Sequence, residues 1–253
     1  MKFSYILPTN KPAQCSQEVV NSIAALPSHD YEIVLVCNQN LFNNNYKNCP
    51  NTVFVDDSNL SGAVQCFNTG YKHADGDVVV IVNDDHVFPS NFLDIQNYFE
   101  SKEFQNQKCK IADMTLWLGG PGKNLFYKDA QEWKGNVWDL GPMVSATNYI
   151  KQYRQSFNVI NFPVLFRESI EQYLDGVIWN SSFRHHLVDS WLGLYAEHIN
   201  ENDNLGPKDI FFHANPNSGQ ATGRADDTHD IKVWEWLLNN FHPEISYNVE
   251  VSL

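Results

Sequence analysis

The sequence predicts an open α/β fold with a mostly parallel sheet, and three observations predict it. Short runs rich in Val and Ile recur through the first hundred residues. Segments with helical spacing of apolar side chains separate most of them. The run from Asp77 to Val82 is continuously apolar after its first residue, as a strand covered on both faces requires.

The elements follow in order. Phe3 to Leu7 is a first strand, stopped at Pro8. A helix carries Val19, Ile23 and Leu26 on one face. Glu32 to Cys37 is a second strand and Thr52 to Val55 a third. Ser61 to Ala74 is a helix with Ala63, Phe67 and Tyr71 spaced by four. Asp77 to Val82 is the fourth strand, after which Ser90 is expected to cap a helix bearing Phe92, Ile95 and Phe99. Strand, helix, strand, strand, helix, strand, helix is the rhythm of a parallel α/β sheet. Residues 113 to 150 hold Gly119, Gly120, Pro121, Gly122, Gly135, Gly141 and Pro142 among Trp117, Trp133 and Trp138, which predicts loops and short strands around a pocket. Helical patterns return at 167–175 and 185–199. Trp234, Leu237, Leu238 and Phe241 mark a last packing helix.

Composition narrows the function. The 253 residues fit one α/β domain, and 43 % hydrophobic with 13 % aromatic residues supply its core. A formal charge of −13 repels a phosphate backbone, so nucleic-acid binding is excluded as an expectation, as is docking on anionic lipid. Five cysteines with no Cys-x-x-Cys spacing indicate a reducing compartment. No secretory leader or membrane-crossing run is visible, so a cytoplasmic protein without a transmembrane segment is expected.

The chemistry is expected where the fourth strand ends, in Asn83-Asp84-Asp85-His86. Ligands of open α/β sheets bind beyond the carboxyl ends of the strands. Two adjacent carboxylates there need a counter-charge, which a divalent cation provides, and such a cation can hold a diphosphate. On these four residues alone, an acidic turn that ends a strand is an equal reading.

The context extends the pattern. Asn68-Thr69-Gly70, Ala74-Asp75-Gly76-Asp77, the strand Val78 to Val82 and Asn83-Asp84-Asp85 occur in unbroken order. This resembles the Asn-x-Gly, Ala-x-Gly-Asp, strand and Asp-x-Asp segment of family 2 glycosyltransferases with the GT-A fold. Ile6-Leu7-Pro8-Thr9 is similar to that family's first strand and Pro-Thr turn, and Glu32 to Val36 to its second strand. The resemblance covers roughly residues 3 to 100. Asn83 replaces the first Asp of the usual motif, and Cys37-Asn38-Gln39-Asn40 lacks the acidic residue often found near the base.

The resemblance implies a single GT-A-like domain, with a nucleotide-sugar half at 1–100 and an acceptor half at 101–253. It implies transfer of a sugar from a nucleotide-diphosphate donor to a glycan or other hydroxyl acceptor, with Mn2+ or Mg2+ as cofactor. Pro8 and Thr9 would line the nucleotide site, with Asn38 near the base and Asn68 counted on the donor side. Asp84 would reach the ribose or sugar, and Asp85 would bind the metal. His213, after Ile210-Phe211-Phe212, stands where such enzymes often carry a further metal ligand; a strand-end histidine is the equal alternative. Arg224 is the cation of the Gly- and Asn-rich segment 214–227, read as a lid whose guanidinium meets a phosphate. The family places a catalytic carboxylate about a hundred residues beyond the metal motif. Asp189, in His185-His186-Leu187-Val188-Asp189, takes that position as general base of an inverting transfer, with Glu168, Glu171 and Asp175 as competitors. A nucleotidyltransferase and a catalytically silent glycan- or partner-binding domain are the rival readings.

Overall fold

The computed structural model describes residues 1–10, 13–84, 86–117, 160, 162–200, 211–214, 228–242 and 244–253; for 13–15, 86, 115–117 and 211–214 it describes the backbone alone. Nine strands are described: β1 (Phe3–Pro8), β2 (Tyr31–Cys37), β3 (Thr52–Asp56), β4 (Val78–Ile81), β5 (His86–Val87), β6 (Ile111–Asp113), β7 (Thr115–Trp117), β8 (Pro163–Phe166) and β9 (Phe211–Ala214). The described helices are α1 (Ala13–Ala24), α2 (Gln39–Asn45), α3 (Gly62–His73), α4 (Ile95–Phe99), α5 (Lys102–Gln105), α6 (Arg167–Tyr173), α7 (Val188–Asn200) and α8 (Thr228–Asn239).

The main sheet has the order β3-β2-β1-β4-β8-β6. Strands β1 to β4 run parallel, and β8 is antiparallel to both of its neighbours. The expected α/β class with a mostly parallel sheet is therefore the observed one. Side chains alternate along β1. Phe3, Tyr5 and Leu7 face one core, with Val19, Val20 and Ile23 of α1, and Ile6 faces the other, with α3, α7 and α8. All four residues of β4 are buried, which accounts for its unbroken apolar run. Gly70 lets α3 lie close on the sheet: a Cβ there would stand 2.5 Å from Ile6 Cγ2.

Two local expectations are corrected. Ser90 does not cap the helix after β4. That stretch opens as a 3-10 turn (Phe92–Asp94) behind Asn91, and α4 starts behind Asp94. The helix expected over 185–199 begins at Val188, because Leu187 takes a left-handed conformation with φ of 62°.

A second, three-stranded sheet has the order β5-β9-β7. It brings the middle of the chain and residues 211–214 against the segment that directly follows β4. The last residues fasten the other side. Tyr247 is fully buried, its hydroxyl donates to the Ile178 carbonyl (2.7 Å), and its own carbonyl accepts from Asn180 Nδ2 and Trp191 Nε1. Ser182 Oγ donates to the Val249 carbonyl and accepts from Val251 N, and Asp175 accepts from Ser246 Oγ and Asn248 N. This clasp seats residues 175–182 against α7.

Candidate functional site

The strand order places the site. From β1 the chain steps outward to β2 and β3, then returns to lay β4 on the opposite side of β1. The carboxyl ends of β1 and β4 therefore flank a topological switch point, where no crossover connection covers the sheet edge. Pro8 ends β1. Thr9 follows it, 5 % exposed, its N–H held by the Val36 carbonyl at 2.9 Å. Its hydroxyl donates to Asp84 Oδ2 at 2.8 Å. Two residues singled out 75 positions apart are thus joined directly across the switch point.

Asp85 lies outside the described residues, as does Arg224. Of His213 the backbone is described. It sits in β9 opposite Val87 of β5 and opposite Trp117 of β7, with Ala214 opposite His86. The main chain of His213 is therefore brought beside the segment that follows the Asp84-Asp85 pair. Among the described residues, no group of three His, Cys, Asp or Glu side chains is arranged to hold a metal ion.

A cleft of about 210 Å³ opens on the α3 side of the sheet, lined by Phe67, Asn83, Trp179, His185, His186 and Asp189 among others. It runs from the end of β4 to the first turn of α7. Asp189 is half-buried there, and Oδ1 accepts from Ser190 N at 2.8 Å. Burial raises its carboxyl above the usual range; the Ser190 amide and the nearby His186 imidazole oppose that shift. A carboxylate held this way is a better proton acceptor than an exposed one.

Two of the three competing carboxylates are committed elsewhere. Glu171 accepts from the Tyr71 hydroxyl, and Asp175 is bound into the C-terminal clasp. Glu168 lies in the first turn of α6. Trp191 is fully buried core, whereas Trp133 and Trp138 lie outside the described residues.

Two expected donor residues have structural duties. Asn38, exposed and directly after β2, caps α2, its Oδ1 accepting from Leu41 N at 2.9 Å. Asn68 is buried in α3 and bonded to main chain. It faces residues 179–181 from α3, donating through Nδ2 to the Trp179 carbonyl at 2.7 Å and accepting from Trp179 N through Oδ1 at 2.9 Å. Its amide pairs with a peptide unit, so its place in the Asn-x-Gly segment reflects a clamp behind the cleft wall.

Asp230 went unread in the sequence. It lies in the first turn of α8, is fully buried, and accepts from three consecutive main-chain amides: Arg184 N (2.8 Å), His185 N (2.9 Å) and His186 N (2.8 Å). The one sequence signal was an acidic residue at a helix start. Gly62 faces the same turn with φ of 84°, where a Cβ would meet Arg184 O at 2.6 Å.

With switch point, cleft and sheet order combined, the architecture is that of the GT-A glycosyltransferase fold. S. aureus TarS 1-349 in complex with UDP-GlcNAc matches at TM-score 0.58 and 17 % identity, over 98 % of this chain and 68 % of that one. The mannosyltransferase PcManGT from Pyrobaculum calidifontis, in complex with GDP-Man and Mn2+, matches at 0.55 and 15 % over 94 % and 70 %. Glucosyl-3-phosphoglycerate synthase from Mycobacterium tuberculosis, in complex with Mg2+ and UDP, matches at 0.54 and 11 % over 87 % and 72 %. In another comparison the chain spans 60 % of TarS 1-349, and it spans 41 % of a longer TarS chain. No protein-family model matches the chain, and no curated protein matches it. Among the described residues no helix is long and apolar enough to cross a membrane.

Proposed function

We propose that this chain is a metal-dependent glycosyltransferase that moves a sugar from a nucleotide-diphosphate donor to an acceptor hydroxyl with inversion. The observation that carries the reading is the Thr9–Asp84 bond across the switch point, with Asp189 at the far end of the adjoining cleft. The likeness to nucleotide-sugar enzymes supports it.

Pro8, Thr9 and Asn38 edge the nucleotide on this reading, and Asp84 accepts from a ribose or sugar hydroxyl. Asp85 and His213 would hold the cation, Mn2+ or Mg2+; the carboxylate suits either ion, and the imidazole favours the transition metal. When bound, the cation neutralises the diphosphate charge in a protein that is itself strongly acidic. Arg224 adds a donor to phosphate. Asp189 takes the proton from the acceptor hydroxyl as that oxygen forms its bond to C1 of the sugar. The C1–O bond to the diphosphate breaks, and its electron pair leaves with the nucleoside diphosphate. The raised proton affinity of Asp189 suits this role. A cytoplasmic setting is supported by the described cysteines, Cys37, Cys49, Cys66 and Cys109, all free thiols.

The test is nucleoside-diphosphate release from a panel of nucleotide sugars with Mn2+. Wild-type protein turns over at least one donor. Asp85→Asn abolishes metal-supported nucleotide binding by calorimetry while the fold survives. No release from any donor, or metal-supported affinity unchanged in Asp85→Asn, overturns the reading.

A further inference from the structure

The wall of the cleft is built from a turn that has no regular structure of its own. Residues 184–186 carry two imidazoles into the cleft, and α7 with Asp189 follows at once. What shapes the turn is the Asp230 carboxylate. Its Oδ1 takes the Arg184 amide and its Oδ2 takes those of His185 and His186. Successive amides converging on one anion form a concave nest. A fully buried carboxylate is costly unless such donors satisfy it, so the nest and the charge stabilise each other. The N-terminus of α8 favours the same charge.

The turn is gripped from a second side. Val64 N donates to the Arg184 carbonyl (3.2 Å), and Gly62 packs against that carbonyl with no room for a side chain. From this anchored point the chain passes through Leu187 in its left-handed conformation. The Leu187 carbonyl accepts from Trp191 N to open α7. The entry angle of α7, and with it the position of Asp189, is therefore set by contacts on residues 184–186.

We propose that Asp230 is the positioning residue of this site: it locks the 184–186 turn so that His186 and Asp189 meet the acceptor hydroxyl in a reactive arrangement. It does so without touching substrate. The kinetic part rests on the glycosyltransferase reading above; the structural part does not. An Asn at 230 offers one acceptor oxygen and turns an amide N–H toward the other donors, so at least one of the three main-chain amides loses its partner.

The experiment compares wild type with Asp230→Asn by site-resolved hydrogen exchange and by kinetics. Amides 184–186 are protected in wild type like the core of α7. In the variant they exchange at least tenfold faster, with the amides of β1 to β4 unchanged. On a donor the wild type turns over, kcat falls on the order of 10²-fold, the scale of a misplacement near 1 Å. The affinity for UDP with Mn2+ stays within twofold. A merely structural role would instead speed exchange throughout and weaken nucleotide binding in parallel, which overturns the proposal. Unprotected amides 184–186 in wild type overturn it as well, without need of a folded variant. A folded Asp230→Asn with wild-type kcat does the same. If no nucleotide sugar is turned over by wild type, the glycosyltransferase reading and the kinetic role of Asp230 fall, and the exchange result then decides only whether Asp230 shapes the turn.

Discussion

Asn68→Ala separates a donor contact from a clamp. The Asn68 side chain is 8 % exposed and satisfies both the N–H and the C=O of Trp179, at 2.9 Å and 2.7 Å. Truncation leaves those two groups without their partner beneath the cleft wall, and each such loss costs about 1–3 kcal/mol. Ala is the better helix former inside α3, which offsets roughly 0.5 kcal/mol. The net expectation is a loss of about 1.5–5.5 kcal/mol, a large share of the ~5–15 kcal/mol by which domains are stable. Urea unfolding followed by tryptophan fluorescence reads it as a lower midpoint at unchanged slope. Calorimetry with UDP and Mn2+, at a temperature where the variant is folded, gives wild-type affinity. A variant as stable as wild type that has lost nucleotide affinity would refute the clamp and return Asn68 to the donor side.

Two further outcomes are expected. Burial raises the Asp189 carboxyl above its ordinary 3.8, so between the unfolded and folded values the native state binds more protons, and stability falls as pH rises through that window. Asp189→Asn removes this loss. Its melting temperature relative to wild type is therefore higher at pH 7 than at pH 4, while turnover falls on the order of 10²–10⁴-fold; a variant that instead loses relative stability as pH rises contradicts the assignment. Gly62→Ala forces a side chain into a positive-φ position and onto Arg184 O, costing about 1–3 kcal/mol; a thermal midpoint equal to wild type would show that the turn does not press on α3.

The sequence made β1 to β4 and α3 legible because their apolar residues are contiguous or regularly spaced, and the parallel pairing of β1, β2 and β3 follows from that rhythm. It concealed α2, whose seven residues include no fully buried side chain and four Asn, so no apolar periodicity exists to read. The start of α7 was misplaced by three residues for a different reason. The turn before it is bound by a carboxylate more than forty residues downstream, which no local window contains. Asn68 shows the same limit from the other side. Its motif was visible, but helix spacing alone cannot say whether its amide faces a ligand or a peptide group. Thr9 and Asp84 were readable as candidates through the resemblance of their Pro-Thr and Asp-Asp segments, and the bond between them needed the fold.

The C-terminal clasp gives the protein an order of assembly. Strands β1 to β4 are complete once residue 81 has been synthesised, and their parallel pairing uses that stretch alone. The segment carrying Trp179 has no comparable independence. Asn180 and Trp191 find their acceptor on Tyr247, and Ser182 finds its partners at Val249 and Val251, so this wall waits for residues made 56 to 69 positions later. A chain emerging from the ribosome therefore displays the edge where the nucleotide is proposed to bind well before it owns a finished cleft. Contacts of such long sequence separation form late and slowly. A chain shortened by its last few residues keeps the parallel strands and leaves the Asn180 amide and the Trp191 indole N–H searching for a carbonyl that never arrives.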